Sequence, residues 1–150
     1  MKIIYAQENL PKTINKSIML CGPTPRATDV KSWRNEALSI LKDNSFDGVV
    51  FVPEPRDGKW LDNYNSQIEW EEKCLNVCDC IVFWVPRDLK DLPGFTTNVE
   101  FGAWADSGKI VFGAPKNAVK TTYLKYYANK YNYKLVDKMP NYIKEFEYLD

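Results

Sequence analysis

The chain predicts an α/β fold, a five-stranded and mainly parallel sheet with helices on both faces. Three observations carry this. Apolar runs rich in β-branched and aromatic residues alternate with helical patterns along the chain. The central runs, such as Ile81-Val82-Phe83-Trp84-Val85, are apolar throughout, which suits strands buried on both faces. Three runs end in proline, at Pro23, Pro53 and Pro86, and proline has no donor to continue a ladder.

The elements follow in order. The first 16 or so residues read as an extra edge strand and a connector. Strands are expected at Ser17–Gly22, Gly48–Pro53, Cys80–Pro86, Lys109–Gly113 and, more weakly, Tyr133–Val136. Helical patterns lie between them, at Val30–Lys42, Gln67–Val77, Asn98–Ser107 and Thr121–Tyr131, and a last helix is expected at Asn141–Leu149. Alternation of this kind means βαβ units, so the loops after the strands share one edge of the sheet. Each proline-ended strand is followed by a polar loop with an arginine, Arg26, Arg56 or Arg87. Such an edge is where open α/β sheets bind ligands.

A chain of 150 residues suits a single domain spanning 1–150. Lys plus Arg and Asp plus Glu are both 20, so the formal charge is zero and no basic surface for nucleic acid is expected. No apolar stretch approaches the ~20 residues of a membrane span. The N-terminus lacks the apolar run of a signal peptide, so the expected compartment is the cytoplasm. Histidine is absent, which excludes His-dependent triads and His-ligated metal. Of the 4 cysteines, Cys74, Cys78 and Cys80 cluster in sequence. Helix and strand geometry point them in different directions, so buried apolar thiols are expected with Cys21, and no metal site.

Two glutamates stand out. The helix at Gln67–Val77 has an apolar stripe through Ile68, Leu75 and Cys78, and Glu71 falls on it. A carboxylate on a buried face is costly unless paired or employed, and burial raises its pKa towards that of a general acid. Otherwise Glu71 lies at the margin and turns outward. Glu69 and Glu72 flank it and face solvent or the cleft rim. Glu100 follows the strand Cys80–Pro86, and Thr97-Asn98-Val99-Glu100 fits a capping box with Thr97 as N-cap. It reads as a helix cap or as a nucleophile. Two glutamates converging on one cleft form the arrangement that breaks glycosidic bonds.

Several segments in order carry a family resemblance. They are Ile-Met-Leu-Cys-Gly-Pro-Thr-Pro-Arg (18–26), Ser-Trp-Arg (32–34), Val-Phe-Val-Pro-Glu-Pro-Arg (50–56), Gln-Ile-Glu-Trp-Glu (67–71), Val-Phe-Trp-Val-Pro-Arg (82–87) and Gly-Phe-Thr-Thr-Asn-Val-Glu-Phe-Gly (94–102). From about Ser17 to Tyr131 the chain resembles the nucleoside 2-deoxyribosyltransferase-like family. More distantly it is similar to 2′-deoxynucleoside 5′-phosphate N-hydrolases. The resemblance implies a flavodoxin-like sandwich. It implies that Glu100, ahead of Phe101-Gly102, is the nucleophile. It implies that Glu71, eight residues ahead of Asp79, is the second acid, although many relatives carry Asp there. It also implies a homo-oligomer, because classical transferases borrow groups from a neighbour's C-terminal tail. The tail 141–150 shows no match to that pattern.

The reaction so implied is cleavage of the N-glycosidic bond of a (deoxy)nucleoside or nucleotide, with transfer to a free nucleobase or to water and no cofactor. Candidate substrate contacts are Gly22, Pro23 and Arg26 after the first core strand, and Trp33 with Arg34. Glu69, Trp70, Arg87, Thr96, Thr97 and Asn98 complete the set. For most of these a plain turn, cap, core or solvated role competes. A nucleotide-binding module without turnover, or a hydrolase of NAD-like N-ribosyl bonds, fits the same residues.

Overall fold

The computed structural model describes residues 1–60 and 62–139. The expected helix at Asn141–Leu149 lies outside these. In chain order the elements are β1 (Lys2–Tyr5), β2 (Ser17–Cys21), α1 (Arg34–Asp43), β3 (Val49–Val52) and α2 (Tyr64–Val77). They continue with β4 (Cys80–Trp84), α3 (Phe95–Trp104), β5 (Ile110–Gly113), α4 (Thr122–Lys130) and β6 (Leu135–Val136). The sheet has 6 strands in the order β1-β3-β2-β4-β5-β6, and every pairing is parallel. The count is one above the five-stranded sheet expected, and the sixth strand is the N-terminal edge strand read from the sequence, which pairs outside β3 with Ile3 opposite Val50. Without β1 the order is that of a flavodoxin-like sheet.

The chain leaves β2 towards β3 on one side and leaves β4 towards β5 on the other. Strand order therefore reverses between β2 and β4, and a crevice opens beyond their carboxyl ends. Alternating side chains divide the core in two. On one face Ile18, Leu20, Val50, Val52, Val82 and Trp84 pack with Ala37 and Leu41 of α1. On the other, Met19, Phe51, Ile81, Phe83 and Phe112 pack with residues of α2, α3 and α4. There Phe101 of α3 lies edge-on to Phe83 and Phe112, with ring centroids 5.2 Å and 5.5 Å away. The four cysteines are free and buried. Cys74 and Cys78 belong to one face and Cys80 to the other, so the three thiols do not converge. No helix of the described residues is long and apolar enough to cross a membrane.

Three helices depart from expectation at their starts, and the first of them, α1, begins at Arg34 rather than Val30. α3 starts at Phe95 rather than Asn98, because Gly94 takes the left-handed conformation (φ 61°) and serves as N-cap. Thr97 is thus inside the helix, and the Thr97–Glu100 capping box does not form. α2 starts at Tyr64, where Asn63 caps it by accepting the Ser66 N–H at 3.2 Å. Its buried residues are Gln67, Trp70, Cys74 and Leu75, while Ile68 is 47% exposed. The buried face lies one position back from the apolar stripe, because Trp70 outweighs Ile68 in the area it can bury.

Gly22 joins β2 to the crevice. Its φ is +149°, and a Cβ there lies 2.1 Å from the Trp84 carbonyl oxygen and 2.9 Å from the Trp33 ring. The backbones of the two central strands meet there too closely for a side chain. Gly22→Ala is expected to destabilise the fold by about 2–4 kcal/mol, read as a fall in the urea midpoint at unchanged slope.

Candidate active site

Arg34, the first residue of α1, is 1% exposed. Its guanidinium donates to the carbonyls of Leu20 (3.0 Å) and Gly22 (2.8 Å) and to Thr24 Oγ1 (3.2 Å). It also pairs with Glu54 Oε1 at 2.5 Å. Glu54 in turn accepts from Ser32 Oγ at 2.8 Å. Arg34 therefore braces the loop after β2 against the loop after β3. Trp33 supports the same turn: it is buried, and its indole N–H donates to the Pro23 carbonyl at 3.0 Å.

Glu71 stands on α2 and Glu100 on α3. Gln67 donates to Glu71 Oε1 at 2.8 Å across one helical turn. Burial raises the Glu71 pKa, while the Gln67 hydrogen bond and then the Arg34 charge pull it back. Glu100 is pushed up to about 8, first by burial and then by the neighbouring Glu71 carboxylate, with Arg34 opposing. The Cys21 thiol at the end of β2 is raised by burial and also feels Glu100, Arg34 and Glu71. Glu71, Glu100 and Arg34 thus all act electrostatically on the end of β2. A pair of like-charged groups in one site retains a proton between them.

The other expected residues have varied places. Thr97 is buried, whereas Thr96 and Asn98 are on the exposed side of α3. Arg87 is 4% exposed rather than solvated. It donates to Asn98 Oδ1 (2.6 Å), the Gly94 carbonyl (3.2 Å) and the Lys120 carbonyl (2.9 Å), which fixes the start of α3. Burial lowers its pKa. Trp70 is core: it packs edge-on to Phe51 and its N–H donates to the Glu8 carbonyl at 2.8 Å. Glu69 is exposed on α2. Arg26 is exposed and lies over the Phe95 ring, 5.4 Å from its centroid. Arg56 is bound by Glu8 through two hydrogen bonds of 2.6 Å and 3.0 Å. Asp79, eight residues after Glu71, lies just ahead of β4, at the opposite edge of the sheet. It accepts from Ser17 Oγ at 2.8 Å.

Two residues at the centre of the site were not singled out from the sequence. Gln67 was signalled only by its i, i+4 spacing to Glu71. Glu54 sits in the Val-Pro-Glu-Pro-Arg motif, but its partner is far away in sequence. A cavity of about 450 Å³ opens beside Arg34's partners, lined by Thr24, Arg26, Ser32, Glu54 and Trp60 among others. Its volume is in the range of small-molecule sites.

A family model described as nucleoside 2-deoxyribosyltransferase like matches residues 15–118. The chain belongs to this family. The match spans β2 to the loop after β5, so it includes Arg34, Glu71 and Glu100. No curated protein matches the chain.

Two outcomes are expected. A carboxyl whose pKa rises from 4.5 when unfolded to about 8 when folded adds stability that is full below pH 4.5 and is lost on passing pH 8. Glu100→Gln removes that loss. It is expected to raise the melting temperature at pH 8.5, by on the order of 2 kcal/mol of stability, and to change it little at pH 4.5. Arg34→Met strands Glu54 and three other acceptors, and is expected to cost about 3–5 kcal/mol in chemical denaturation.

Proposed function

We propose that the chain cleaves the N-glycosidic bond of a (deoxy)nucleoside or nucleotide, with Glu100 as nucleophile and Glu71 as the acid for the leaving base. The observation that carries this is the pair itself: two largely desolvated carboxyl groups, the Glu71 charge raising the Glu100 pKa, and one buried arginine opposing burial at both. Family membership supports glycosyl transfer as the reaction class.

In the first step a Glu100 oxygen attacks C1′ of the sugar. The C1′–N bond breaks, its electron pair goes to the base, and the base takes the proton from Glu71. A glycosyl ester of Glu100 remains. In the second step a nitrogen of another base, or a water, attacks C1′ and gives its proton to Glu71. The ester C1′–O bond breaks as the new bond forms, and its electron pair restores the Glu100 carboxylate. Two displacements retain the configuration at C1′. The first amides of α3 with the Thr96 hydroxyl suit a sugar hydroxyl or a 5′-phosphate. Asn98 is held for the same end of the helix by Arg87.

Self-association is part of the proposal. α3 carries Glu100 and exposes Phe95 (69%) and Val99 (73%) on its outer side. Apolar groups beside a site are surfaces that a second copy can cover. Sedimentation velocity is expected to show a dimer or larger species, and a monomer across the micromolar range overturns this part.

The central test is incubation with nucleosides, 5′-nucleotides and NAD, with and without free adenine, following base release and exchange. Exchange without net release marks a transferase, and release alone marks a hydrolase. Glu100→Gln is expected to lose on the order of 10³-fold or more in kcat, and a mass increase of one deoxyribosyl unit is expected in the wild type only. Ligand binding without turnover in the wild type would sink the enzymatic reading. The pair needs one proton for the leaving base, so kcat/KM is expected to fall as pH rises through about 8.

A further inference from the structure

The family match begins at residue 15, which leaves out β1 and the turn that follows it. That turn nevertheless reaches the acid. Gln7 Nε2 donates to Gln67 Oε1 at 3.4 Å, and Gln67 Nε2 donates to Glu71 Oε1 at 2.8 Å. The direction matters. By accepting from Gln7, the Gln67 carbonyl is turned away from Glu71, so its N–H faces the carboxylate. Gln67 itself is only 3% exposed, and Gln7 is half-buried with φ +63°, an uncommon conformation for a side chain of its size. The Glu8 N–H closes this turn on the Tyr5 carbonyl at 3.0 Å.

Gln7 and Gln67 share a cavity of about 360 Å³ with Trp60, Pro55 and Arg56. Trp60 is 51% exposed, although it is a large aromatic. Of the charged groups lining it, Arg56 pairs with Glu8, Asp57 accepts the Lys59 backbone N–H at 3.0 Å, and the Lys59 ammonium makes no ion pair among the described residues. What the cavity offers is the Trp60 indole face, without a ring or hydrogen-bond partner among the described residues, and the remaining donor and acceptor of the Gln7 amide. That combination fits a flat, neutral heteroaromatic ring with adjacent donor and acceptor atoms, which is a nucleobase.

We propose that the turn after β1 completes the leaving-base subsite, with Trp60 stacking on the nucleobase and Gln7 reading its edge next to Glu71. This rests on the glycosidic reading above. It also gives the turn after the N-terminal strand a role in choosing the base, a role carried by Gln7, outside the family-matched segment.

The test uses the full chain and variants that leave the backbone in place. Glycine accepts φ +63° more readily than glutamine, and asparagine is the next most tolerant residue, so Gln7→Gly and Gln7→Asn keep the turn. Asparagine keeps the amide but is one methylene short. Kinetics are measured with deoxyadenosine, deoxyguanosine, deoxycytidine and thymidine. Gln7→Gly and Gln7→Asn are expected to raise KM about fivefold or more for the preferred base and to flatten the preference among the four. Trp60→Ala is expected to raise KM about tenfold for every base, with Trp60→Phe recovering most of it. KM and base order unchanged within twofold in both Gln7→Gly and Trp60→Ala would overturn the subsite. If the wild type turns over none of these nucleosides, the glycosidic reading fails separately. The subsite is then read by equilibrium dialysis of adenine, guanine, cytosine and thymine. Binding to the wild type that weakens in Trp60→Ala and Gln7→Gly upholds it, and absence of binding to the wild type overturns it.

Discussion

Arg34 holds a full charge at 1% exposure, and the site depends on where that charge is held. Its forked donors match acceptors from two loops: the Leu20 and Gly22 carbonyls and Thr24 on one side, and Glu54 on the other. A lysine, with three donors on one atom, cannot span that set. The contacts draw the ends of β2 and β3 together and leave β2 free to approach β4 at Gly22. The same charge acts at longer range on Glu71 and Glu100, lowering both pKa values against burial. One residue thus sets the shape of the crevice and keeps two desolvated carboxyl groups tolerable within it.

A second arginine does the equivalent work on the other side. Arg87 ties the loop after β4 to Gly94 and Asn98 at the start of α3 and to Lys120 ahead of α4. Its Nε is buried without a partner among the described residues. An unmet donor is costly, yet Nη2 fixes the start of the helix that carries Glu100 while Nη1 holds Lys120. Gly94 adds to this. A Cβ there comes within 2.7 Å of Pro23, so the turn into α3 packs directly against the loop after β2. The two braces therefore meet across the crevice, and the glutamate on α3 is oriented by contacts made at both of its edges.

Much of this was legible in the sequence, and the reasons for the rest are physical. Proline after β2, β3 and β4 marks where ladders stop whatever the tertiary context, so the shared loop edge could be read. Glu71 and Glu100 stood out because carboxylates beside apolar runs are costly. The helix starts were harder. Thr97 offered a capping box, but Gly94 in the left-handed region begins α3 earlier, and a backbone angle leaves no periodic trace. The stripe on α2 was placed one position off, because Gln67 is a polar residue buried by its amide bonds and Ile68 an apolar one left exposed. Arg26, Arg56 and Arg87 look alike in sequence as loop arginines, and Arg34 falls inside an expected helix. The partners of Arg34, Arg56 and Arg87, which are Glu54, Glu8 and Asn98, are set by the fold, so sequence spacing could not separate two buried braces from an exposed pair.

The resting electrostatics also constrain the proposed chemistry. Gln67 presents an N–H to Glu71, which favours the ionised form there, while burial and the Glu71 charge favour a proton on Glu100. A nucleophilic Glu100 needs the opposite distribution. On the proposed mechanism the substrate supplies the change. A base nitrogen placed against Glu71 is an acceptor, and an acceptor there stabilises the protonated acid. A sugar carbon gaining positive charge beside Glu100 stabilises its carboxylate. One proton then moves within the pair as the substrate settles, and the reactive state is reached only when base and sugar are both in place. Such coupling gives the site a reason to keep its two carboxyl groups dry and close, because a wetter pair would ionise independently and lose the link between binding and activation.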